Sequence, residues 1–183
     1  MRIIAGKFKG KKIYTIPGNT TRPTSDFIRE MLFSTLFSLQ PSFENTLDLF
    51  AGSGSLGFES LSRGAFQTTF VEMSQKAIDV LFENIKILNC EAECKIIKKR
   101  VEVFLSKTPE QKFDLIFLDP PYDKDIVNNT LSLIYQNNFL NDNGIIITEH
   151  SKDEHISLMY TDFIIKEKTS GLTSITFLSG GLH

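Results

Sequence analysis

Residues 48–57 read Asp-Leu-Phe-Ala-Gly-Ser-Gly-Ser-Leu-Gly and continue a short apolar run that starts at Thr46. The run is typical of a buried strand, and Gly52, Gly54 and Gly57 match the pattern G-x-G-x-x-G, in which a strand turns sharply into a helix. Glycine lets the main chain of such a turn approach a ligand, and the N-terminus of the following helix offers free N–H groups. The stretch therefore predicts a small-molecule site above the carboxyl end of this strand.

An acid follows at the end of the next apolar run. Glu72 closes the run 67–72 and lies about 20 residues beyond the glycines, where a carboxylate commonly binds ribose hydroxyls. This spacing predicts a cofactor that contains adenosine. The glycines alone leave its identity open, because dinucleotides and S-adenosylmethionine (SAM) are held in much the same way.

A second stretch, Asp119-Pro-Pro-Tyr122, follows the apolar run 113–118. A doubled proline ends a strand in most proteins and does nothing more. Here it is flanked by an acid and an aromatic residue, and the expected fold brings it beside the glycine loop. These features favour chemistry on a nucleobase.

The amino group of a nucleobase is a poor nucleophile, because its lone pair is delocalised into the ring. Its reactivity rises when its two N–H groups donate to fixed acceptors, which stabilise the positive charge that develops as a methyl group arrives. Asp119 offers a carboxylate, Pro120 a carbonyl, Pro121 further rigidity, and Tyr122 a ring that can stack on an extruded base. We expect these four to be the catalytic residues of a methyl transfer from SAM that needs no metal.

In this interpretation the glycine turn contacts the methionine part of SAM, Asp48 supports its ammonium group directly or through water, and Glu72 accepts hydrogen bonds from the ribose. Met73 covers one face of the adenine, and Arg100-Val101 borders its edge through backbone groups. Three residues have a structural alternative: Asp48 could only fix its loop, Met73 could belong to the core, and Arg100 could be a solvated cation at a helix start. The predicted cofactor-binding residues are Asp48, Phe50, Ala51, Gly52, Ser53, Gly54, Glu72, Met73, Arg100 and Val101.

From Thr46 onward the chain alternates between strand and helix patterns, which favours a mostly parallel sheet covered on both faces. Ligands of such sheets bind above the carboxyl ends of the strands, near the point where strand order reverses. The glycine loop, Glu72, Arg100 and the Asp119–Tyr122 loop all fall at those ends. We predict strands at 46–50, 67–72, 95–98, 113–118 and 145–149, helices at 55–63, 74–88, after 100 and at 126–136, a turn at 141–144, and a closing antiparallel hairpin of 163–168 and 174–178.

The first forty residues differ in pattern from the rest. Two short strands surround a Gly/Lys turn, and a helix capped by Ser25 or Asp26 follows a stretch that contains Pro17 and Pro23. We therefore predict an N-terminal extension at 1–41 and a main domain at 42–183. The apolar face of the extension's helix is expected to comprise Ile28, Met31, Leu32, Leu36 and Leu39.

The charge is divided unevenly along the chain. The whole sequence has a formal net charge of −2, whereas residues 1–30 carry seven basic and two acidic side chains, a net +5. This split favours an N-terminal end that meets phosphate, although a solvated lysine-rich face is the alternative. Phe8, between two lysines, could stack on an unpaired base or pack on the domain. The predicted RNA-binding residues are Arg2, Lys7, Phe8, Lys9, Lys11, Arg22 and Arg29.

Other classes of function find little support. No apolar run approaches the length that spans a membrane, and no signal-peptide pattern opens the chain, so we expect a cytoplasmic protein. The two cysteines, Cys90 and Cys94, lack further ligands for a metal site, and a disulfide is disfavoured in a reducing compartment.

The motifs together resemble a known family. Asp48–Gly54, Phe70-Val-Glu72 and Asp119–Tyr122 resemble the SAM-dependent methyltransferases that act on amino groups of bases. Three further matches narrow the resemblance to the RsmD-type 16S rRNA guanine-N2 methyltransferases: Met1–Gly6, Thr21–Asp26 with Arg29-Glu30, and Ser62–Ala65.

This resemblance implies a Rossmann-like class I methyltransferase fold, with an α/β sheet of about seven strands of which the last is antiparallel. It also implies SAM as the methyl donor and one guanine N2 amine of small-subunit rRNA as the acceptor. The substrate is expected to be an assembled or partly assembled small ribosomal subunit, gripped by the N-terminal extension of a monomeric enzyme.

Two positions depart from the family's usual pattern. Arg100-Val101 stands where an Asp-Ala pair is usual, so a side-chain acceptor for the adenine amine is missing and weaker SAM affinity is expected. Phe27 stands where a basic residue is common, which removes one phosphate contact.

Alternative functions share parts of the pattern. A DNA or RNA adenine-N6 methyltransferase would use the same Asp-Pro-Pro-Tyr loop. A nicotinamide dehydrogenase would share the glycines and Glu72 but leave that loop idle, and a non-catalytic RNA-binding module would need only the basic extension.

Overall fold

A seven-stranded sheet forms the centre of the molecule and carries helices on both faces. The computed structural model describes residues 1–16, 26–39, 44–121 and 125–181. Its helices are α1 (Asp26–Ser38), α2 (Ser55–Ser62), α3 (Gln75–Leu88), α4 (Val101–Leu105) and α5 (Ile126–Gln136), with 3₁₀ turns at Glu91–Glu93 and Leu158–Phe163. Its strands are β1 (Asn45–Leu49), β2 (Gln67–Glu72), β3 (Cys94–Lys98), β4 (Phe113–Leu118), β5 (Leu140–Ser151), β6 (Ile164–Ser170) and β7 (Thr173–Ser179).

The strands lie in the order β3-β2-β1-β4-β5-β7-β6. The five strands from β3 to β5 are parallel to one another, whereas β7 runs antiparallel to both β5 and β6. This topology confirms the expected Rossmann-like methyltransferase fold. Strand order reverses at β1, which lies between β2 and β4, so a ligand site is expected above the ends of these three strands.

Most predicted elements are confirmed to within one or two residues, and β5 is the main difference. It starts at Leu140 and includes residues 141–144, which were predicted to form a turn. The pairing with β4 shifts there, because Phe113 pairs with Leu140 but Leu115 pairs with Ile145. A bulge of this kind accommodates the extra residues without ending the strand.

The core consists of two layers, one on each face of the sheet. Alternation along β1 sends Leu47 and Leu49 into a cluster with α4 and α5. Asp48 lies between them in sequence and so belongs to the opposite face, where α1, α2 and α3 pack. No helix among the described residues is long and apolar enough to cross a membrane.

Helix α1 packs directly against the main sheet. Leu32, Phe33 and Leu36 share a buried cluster with Phe117 of β4 and Phe177 of β7, and the Phe33 and Phe117 rings are 5.7 Å apart. The N-terminal extension therefore contributes to the core of the main domain. The possible cap Ser25 and the predicted domain boundary at 41/42 lie outside the described residues.

The N-terminal segment 1–16 forms a short hairpin with one antiparallel bridge, between Arg2 and Lys12. It is fastened to α2 by Glu59, whose side chain is completely buried. The Glu59 carboxylate accepts the N–H groups of Ile4 and Ala5 at 2.8 and 3.0 Å and pairs with Arg63 Nε at 2.7 Å. A buried carboxylate thus replaces a strand partner for this segment.

We predict that Glu59→Gln destabilises the protein by about 2–4 kcal/mol, because the amide keeps one acceptor oxygen only, its NH2 group faces a backbone N–H, and Arg63 loses its buried counter-charge. The free energy of unfolding from denaturant titration measures the effect. The matched control is Glu83→Gln on the exposed side of α3, which is expected to change stability by less than about 0.5 kcal/mol. Equal stability of the two variants would contradict the anchoring role.

Candidate active site

Strand register places three of the predicted site elements side by side. Leu49 at the end of β1 pairs with Val71 of β2 and with Leu118 of β4. The residues that follow these three are Phe50, Glu72 and Asp119, so the glycine loop, the predicted ribose acid and the Asp119 loop begin at neighbouring strand ends.

The glycine loop has the left-handed backbone that its sequence predicts. Phe50, Gly52 and Gly54 have φ values of 58°, 55° and 80°. A Cβ on Gly54 would lie 2.6 Å from a Leu81 side-chain carbon, so the loop packs closely on α3. A Cβ on Gly52 would lie 3.9 Å from the Phe50 carbonyl oxygen and 4.0 Å from Ile16 Cδ1, which are ordinary contacts, so Gly52 is required by its backbone conformation and not by crowding.

Gly57 meets a different requirement. A Cβ there would lie 2.3 Å from the Phe70 ring and 2.9 Å from Asp48 Oδ2. The third glycine of the pattern therefore allows α2 to approach the sheet closely, as the third glycine of such fingerprints generally does.

Asp48 is almost fully buried beneath the loop and accepts the Gly57 N–H at 2.9 Å through Oδ2. Burial raises its pKa well above the ordinary value, the Gly57 hydrogen bond lowers it, and the charges of Asp119 and Glu72 raise it further. Asp48 therefore makes a contact that fixes its own loop, which was the alternative to a role in cofactor binding. A cation bound nearby would lower the same pKa and favour the charged carboxylate.

Glu72 is held in place by three backbone N–H groups. Its Oε2 accepts from Gly52 at 3.0 Å, and its Oε1 accepts from Met73 and Ser74, each at 2.8 Å. A carboxylate has about four acceptor positions, so about one remains for a ligand hydroxyl. Glu72 therefore links the glycine loop to the end of β2 and still offers an acceptor.

The predicted adenine-side residues occupy the surface near the end of β3. Met73 is 64% exposed, which excludes the alternative that it belongs to the core. Arg100 precedes α4 and lies 3.4 Å from Glu102 with its side chain mostly exposed. Val101 is buried in the core cluster, so it can meet a ligand only through its backbone.

The Asp119 loop leaves β4 at the sheet's carboxyl edge. Asp119 is half-buried, Pro120 is buried and Pro121 is exposed. Alternation puts Asp119 on the same face as Phe117, which pairs with Asp48. Tyr122, the fourth predicted catalytic residue, lies outside the described residues.

Four of the residues predicted to bind RNA have exposed side chains: Arg2, Lys7, Lys9 and Lys11. Lys7 forms an ion pair with Glu93, which links the turn to the start of β3. Arg2 lies 3.4 Å from Asp26 at the start of α1. Arg22 lies outside the described residues.

For Phe8 and Arg29 the burial contradicts a direct RNA contact. Phe8 is 7% exposed and packs in the cluster of α2 and α3, so the packing alternative holds. Arg29 is completely buried, and its Nη2 donates to the Arg2 carbonyl at 3.0 Å and to Asp26 at 2.6 Å. Its burial lowers its pKa, and its position on the apolar face of α1 is the signal that the sequence prediction overlooked.

Two buried polar residues that hold the N-terminal segment in place, Glu59 and Asn84, carry no recognisable motif and were not predicted from the sequence. Asn84 is completely buried and hydrogen-bonds both to the N-terminal segment and to the carbonyl of Ser53 in the glycine loop. Each lies on the buried side of its helix, and this is the signal that could have found them.

The two cysteines lie next to each other around the 3₁₀ turn that precedes β3. Cys90 and Cys94 have their sulfur atoms 3.6 Å apart and are not bonded to each other. Over the described ranges no three His, Cys, Asp or Glu side chains are grouped to hold a metal ion.

Comparison with known proteins gives consistent matches over nearly the whole chain. The model of the family described as conserved hypothetical protein 95 matches residues 1–179. Ribosomal RNA small subunit methyltransferase D of Haemophilus influenzae is 38% identical over 95% of this chain and 91% of the relative. A putative rRNA methyltransferase of Bacillus subtilis is 35% identical over 96% of each.

Solved structures agree with the fold. A putative methyltransferase from Escherichia coli covers 100% of this chain and 99% of its own, with a TM-score of 0.86 and 29% identity. At 14% identity and a TM-score of 0.63, over 84% of this chain and 48% of the other, the fold alone is shared with a putative methyltransferase complexed with SAH. On these matches the chain belongs to the RsmD family of methyltransferases, as the motifs of its sequence suggest.

Proposed function

We propose that this protein transfers the methyl group of SAM to the exocyclic N2 amine of a guanine in 16S rRNA of the small ribosomal subunit. The observation that carries the proposal is the strand register that starts the glycine loop and the Asp119 loop at adjacent ends of β1 and β4. A donor and an acceptor bound at these two loops would be direct neighbours, and methyl transfer requires this proximity.

The glycine loop supports the donor half of the proposal. The left-handed backbones of Gly52 and Gly54 expose main-chain groups at the end of β1, and we propose that the backbone from Ala51 to Ser53 contacts the methionine part of SAM. We propose that the remaining acceptor position of Glu72 takes a ribose hydroxyl. The ammonium group of SAM is proposed to bind near Asp48, because a cation there would offset the cost of burying this carboxylate. SAM supplies an electrophilic methyl group on a sulfonium.

The Asp119 loop supports the acceptor half. The guanine N2 would attack the methyl carbon, so that an N–C bond forms while the S–C bond breaks and the sulfur keeps the electron pair as a thioether. The nitrogen would become positive and then lose a proton to the Asp119 carboxylate or to water. Asp119 and the Pro120 carbonyl are proposed to accept the amine N–H groups and to stabilise that charge, with Tyr122 stacked on the base.

The exposed cations of the N-terminal segment support an RNA acceptor. Lys9 and Lys11 extend from the turn, and Arg2 is exposed on the same segment. The relatives named ribosomal RNA small subunit methyltransferase D favour the small subunit as the substrate. We propose that the enzyme acts there as a monomer in the cytoplasm.

A tritium-transfer assay tests this function. The purified protein, labelled SAM and small subunits from a strain that lacks the enzyme are expected to give label in 16S rRNA, and nucleoside analysis is expected to find it in N2-methylguanosine. Label in adenine would favour the adenine-N6 alternative, and label only on free DNA would overturn the RNA substrate.

We predict that Asp119→Ala abolishes methyl transfer and leaves the dissociation constant for SAM within about twofold, because Asp119 is assigned to the amine and not to the cofactor. Calorimetry gives the affinity and the tritium assay gives the rate. The matched control is Asp142→Ala, which removes an exposed acid near the N-terminal end of β5, at the edge of the sheet opposite to Asp119. It is expected to keep both the wild-type SAM affinity and the wild-type rate. A large loss of SAM affinity in Asp119→Ala would mean that Asp119 holds the cofactor instead.

We also predict that changing Lys7, Lys9 and Lys11 together to Ala weakens RNA binding and flattens its dependence on salt. Each phosphate contact that is lost lowers the slope of log K against log salt by about 0.7–0.9. The control changes Lys152, Lys166 and Lys168 to Ala, which removes the same charge from another part of the surface. Equal slopes for the two triple variants would mean that the N-terminal lysines are solvated and do not contact RNA phosphates.

A further inference from the structure

We propose that Asn84 is a positioning residue that joins the N-terminal segment to the glycine loop and thereby couples RNA binding to cofactor binding. The inference rests on the proposed function, because it assigns RNA to the N-terminal segment and SAM to the loop. Asn84 itself would touch neither ligand. It would act through the backbone groups that it holds.

Three hydrogen bonds use the Asn84 amide almost fully. Its Oδ1 accepts the Tyr14 N–H at 2.7 Å, and its Nδ2 donates to the Tyr14 carbonyl at 3.0 Å and to the Ser53 carbonyl at 3.0 Å. An amide offers two N–H donors and one acceptor oxygen, and all are engaged here. One side chain therefore satisfies both backbone groups of Tyr14, as a neighbouring strand would, and fixes Ser53 at the same time.

Ser53 is the central residue of the glycine turn. It lies between Gly52 and Gly54, whose left-handed backbones give the turn its shape. Because glycine resists distortion less than other residues, the position of the loop depends on contacts from outside. The hydrogen bond from Asn84 is a contact of this kind, and it holds a carbonyl immediately beside the proposed cofactor space.

Apolar contacts join the same three parts of the molecule. Leu81, one turn before Asn84 on α3, lies against Gly54. Ile16 of the N-terminal segment has its Cδ1 4.0 Å from the position that a Gly52 Cβ would occupy. The segment therefore reaches the glycine loop directly, and Asn84 lies where segment, loop and helix meet.

The same segment carries the proposed RNA contacts. Ile13 donates its N–H to the Met1 carbonyl and Ile3 donates to the Lys11 carbonyl, each at 3.0 Å, so the basic turn and Tyr14 belong to one hydrogen-bonded hairpin. If bound RNA displaces the turn, the hydrogen bonds of Asn84 to Tyr14 and Ser53 would displace Ser53 as well. If bound RNA raises the affinity for the cofactor by some factor, linkage requires that the bound cofactor raise the affinity for RNA by the same factor.

A purely structural role is the alternative, since any buried amide that satisfies backbone groups adds stability. The two roles differ in what Asn84→Asp changes. The carboxylate is of the same size but donates no hydrogen bond, and it faces two carbonyl oxygens. A structural role predicts lower stability only, whereas positioning predicts altered ligand binding in the folded protein.

The test measures the SAM dissociation constant by calorimetry and the small-subunit dissociation constant by filter binding, with and without S-adenosylhomocysteine. In the wild-type protein S-adenosylhomocysteine is expected to tighten subunit binding severalfold. In Asn84→Asp, studied below its melting temperature, SAM binding is expected to weaken by roughly tenfold or more and the tightening to disappear.

The matched control is Asn137→Asp just after α5, where Nδ2 donates to the Leu105 carbonyl at 2.9 Å. Helix α5 packs on the face of the sheet opposite to α3, which carries Asn84. It removes a similar hydrogen bond and is expected to leave both ligand measurements within twofold. If Asn84→Asp keeps wild-type SAM affinity or wild-type tightening, the inference is wrong.

Ile16→Ala serves as the second variant if Asn84→Asp does not fold. It shortens the half-buried side chain over Gly52 and is expected to weaken SAM binding severalfold without unfolding the protein. Unchanged SAM affinity in Ile16→Ala would overturn the inference. Failure of the proposed function is separable, because it would appear as no SAM binding or no guanine methylation by the wild-type protein.

Discussion

The pairing of β1 with β2 on one side and β4 on the other is the constraint on which the site depends. Because Leu49, Val71 and Leu118 are in register, the next residue of each strand emerges at the same level of the sheet. Two of these residues are carboxylates, and the third starts the glycine loop. A shift of one residue in either pairing would turn the side chains of that strand to the opposite face and separate the proposed donor and acceptor.

Buried polar side chains hold the other parts of the molecule against this sheet. Asp48 fastens the start of α2, Glu59 fastens the N-terminal segment to α2, and Asn84 fastens the same segment to the glycine loop. Each satisfies backbone groups that have no strand partner, so the contacts depend on a specific donor or acceptor at a specific place. This arrangement makes the extension part of the site and not a separate attachment.

The sequence predicted the order and type of the main elements well, because strand and helix patterns with glycine and proline boundaries are local signals. The predicted limits of β2, β4 and α5 coincide with the observed ones. The sequence did not predict that 141–144 would continue β5, since Asn, Asp and Gly favour turns and only the bulge opposite β4 holds them in the strand.

Burial was less predictable than secondary structure for the charged and aromatic residues of the extension. Arg29 and Phe8 are residue types that often contact RNA, but both are buried here. Arg29 pairs with Asp26, and Phe8 packs against α2 and α3. No sequence motif identifies Asn84, because its role depends on contacts among three segments that are distant in sequence. Such tertiary contacts are the part that sequence patterns cannot supply.

A crystal structure with bound sinefungin, a SAM analogue in which an amine-bearing carbon replaces the sulfonium and its methyl group, would show whether donor and acceptor meet at these loops. We expect the analogue to lie along the glycine loop with its ribose at Glu72 and its amine within roughly 6 Å of the Asp119 carboxylate, which leaves room for a base nitrogen between them. An analogue that binds elsewhere, or an amine that points away from Asp119, would show that the two loops do not form a methyl-transfer site.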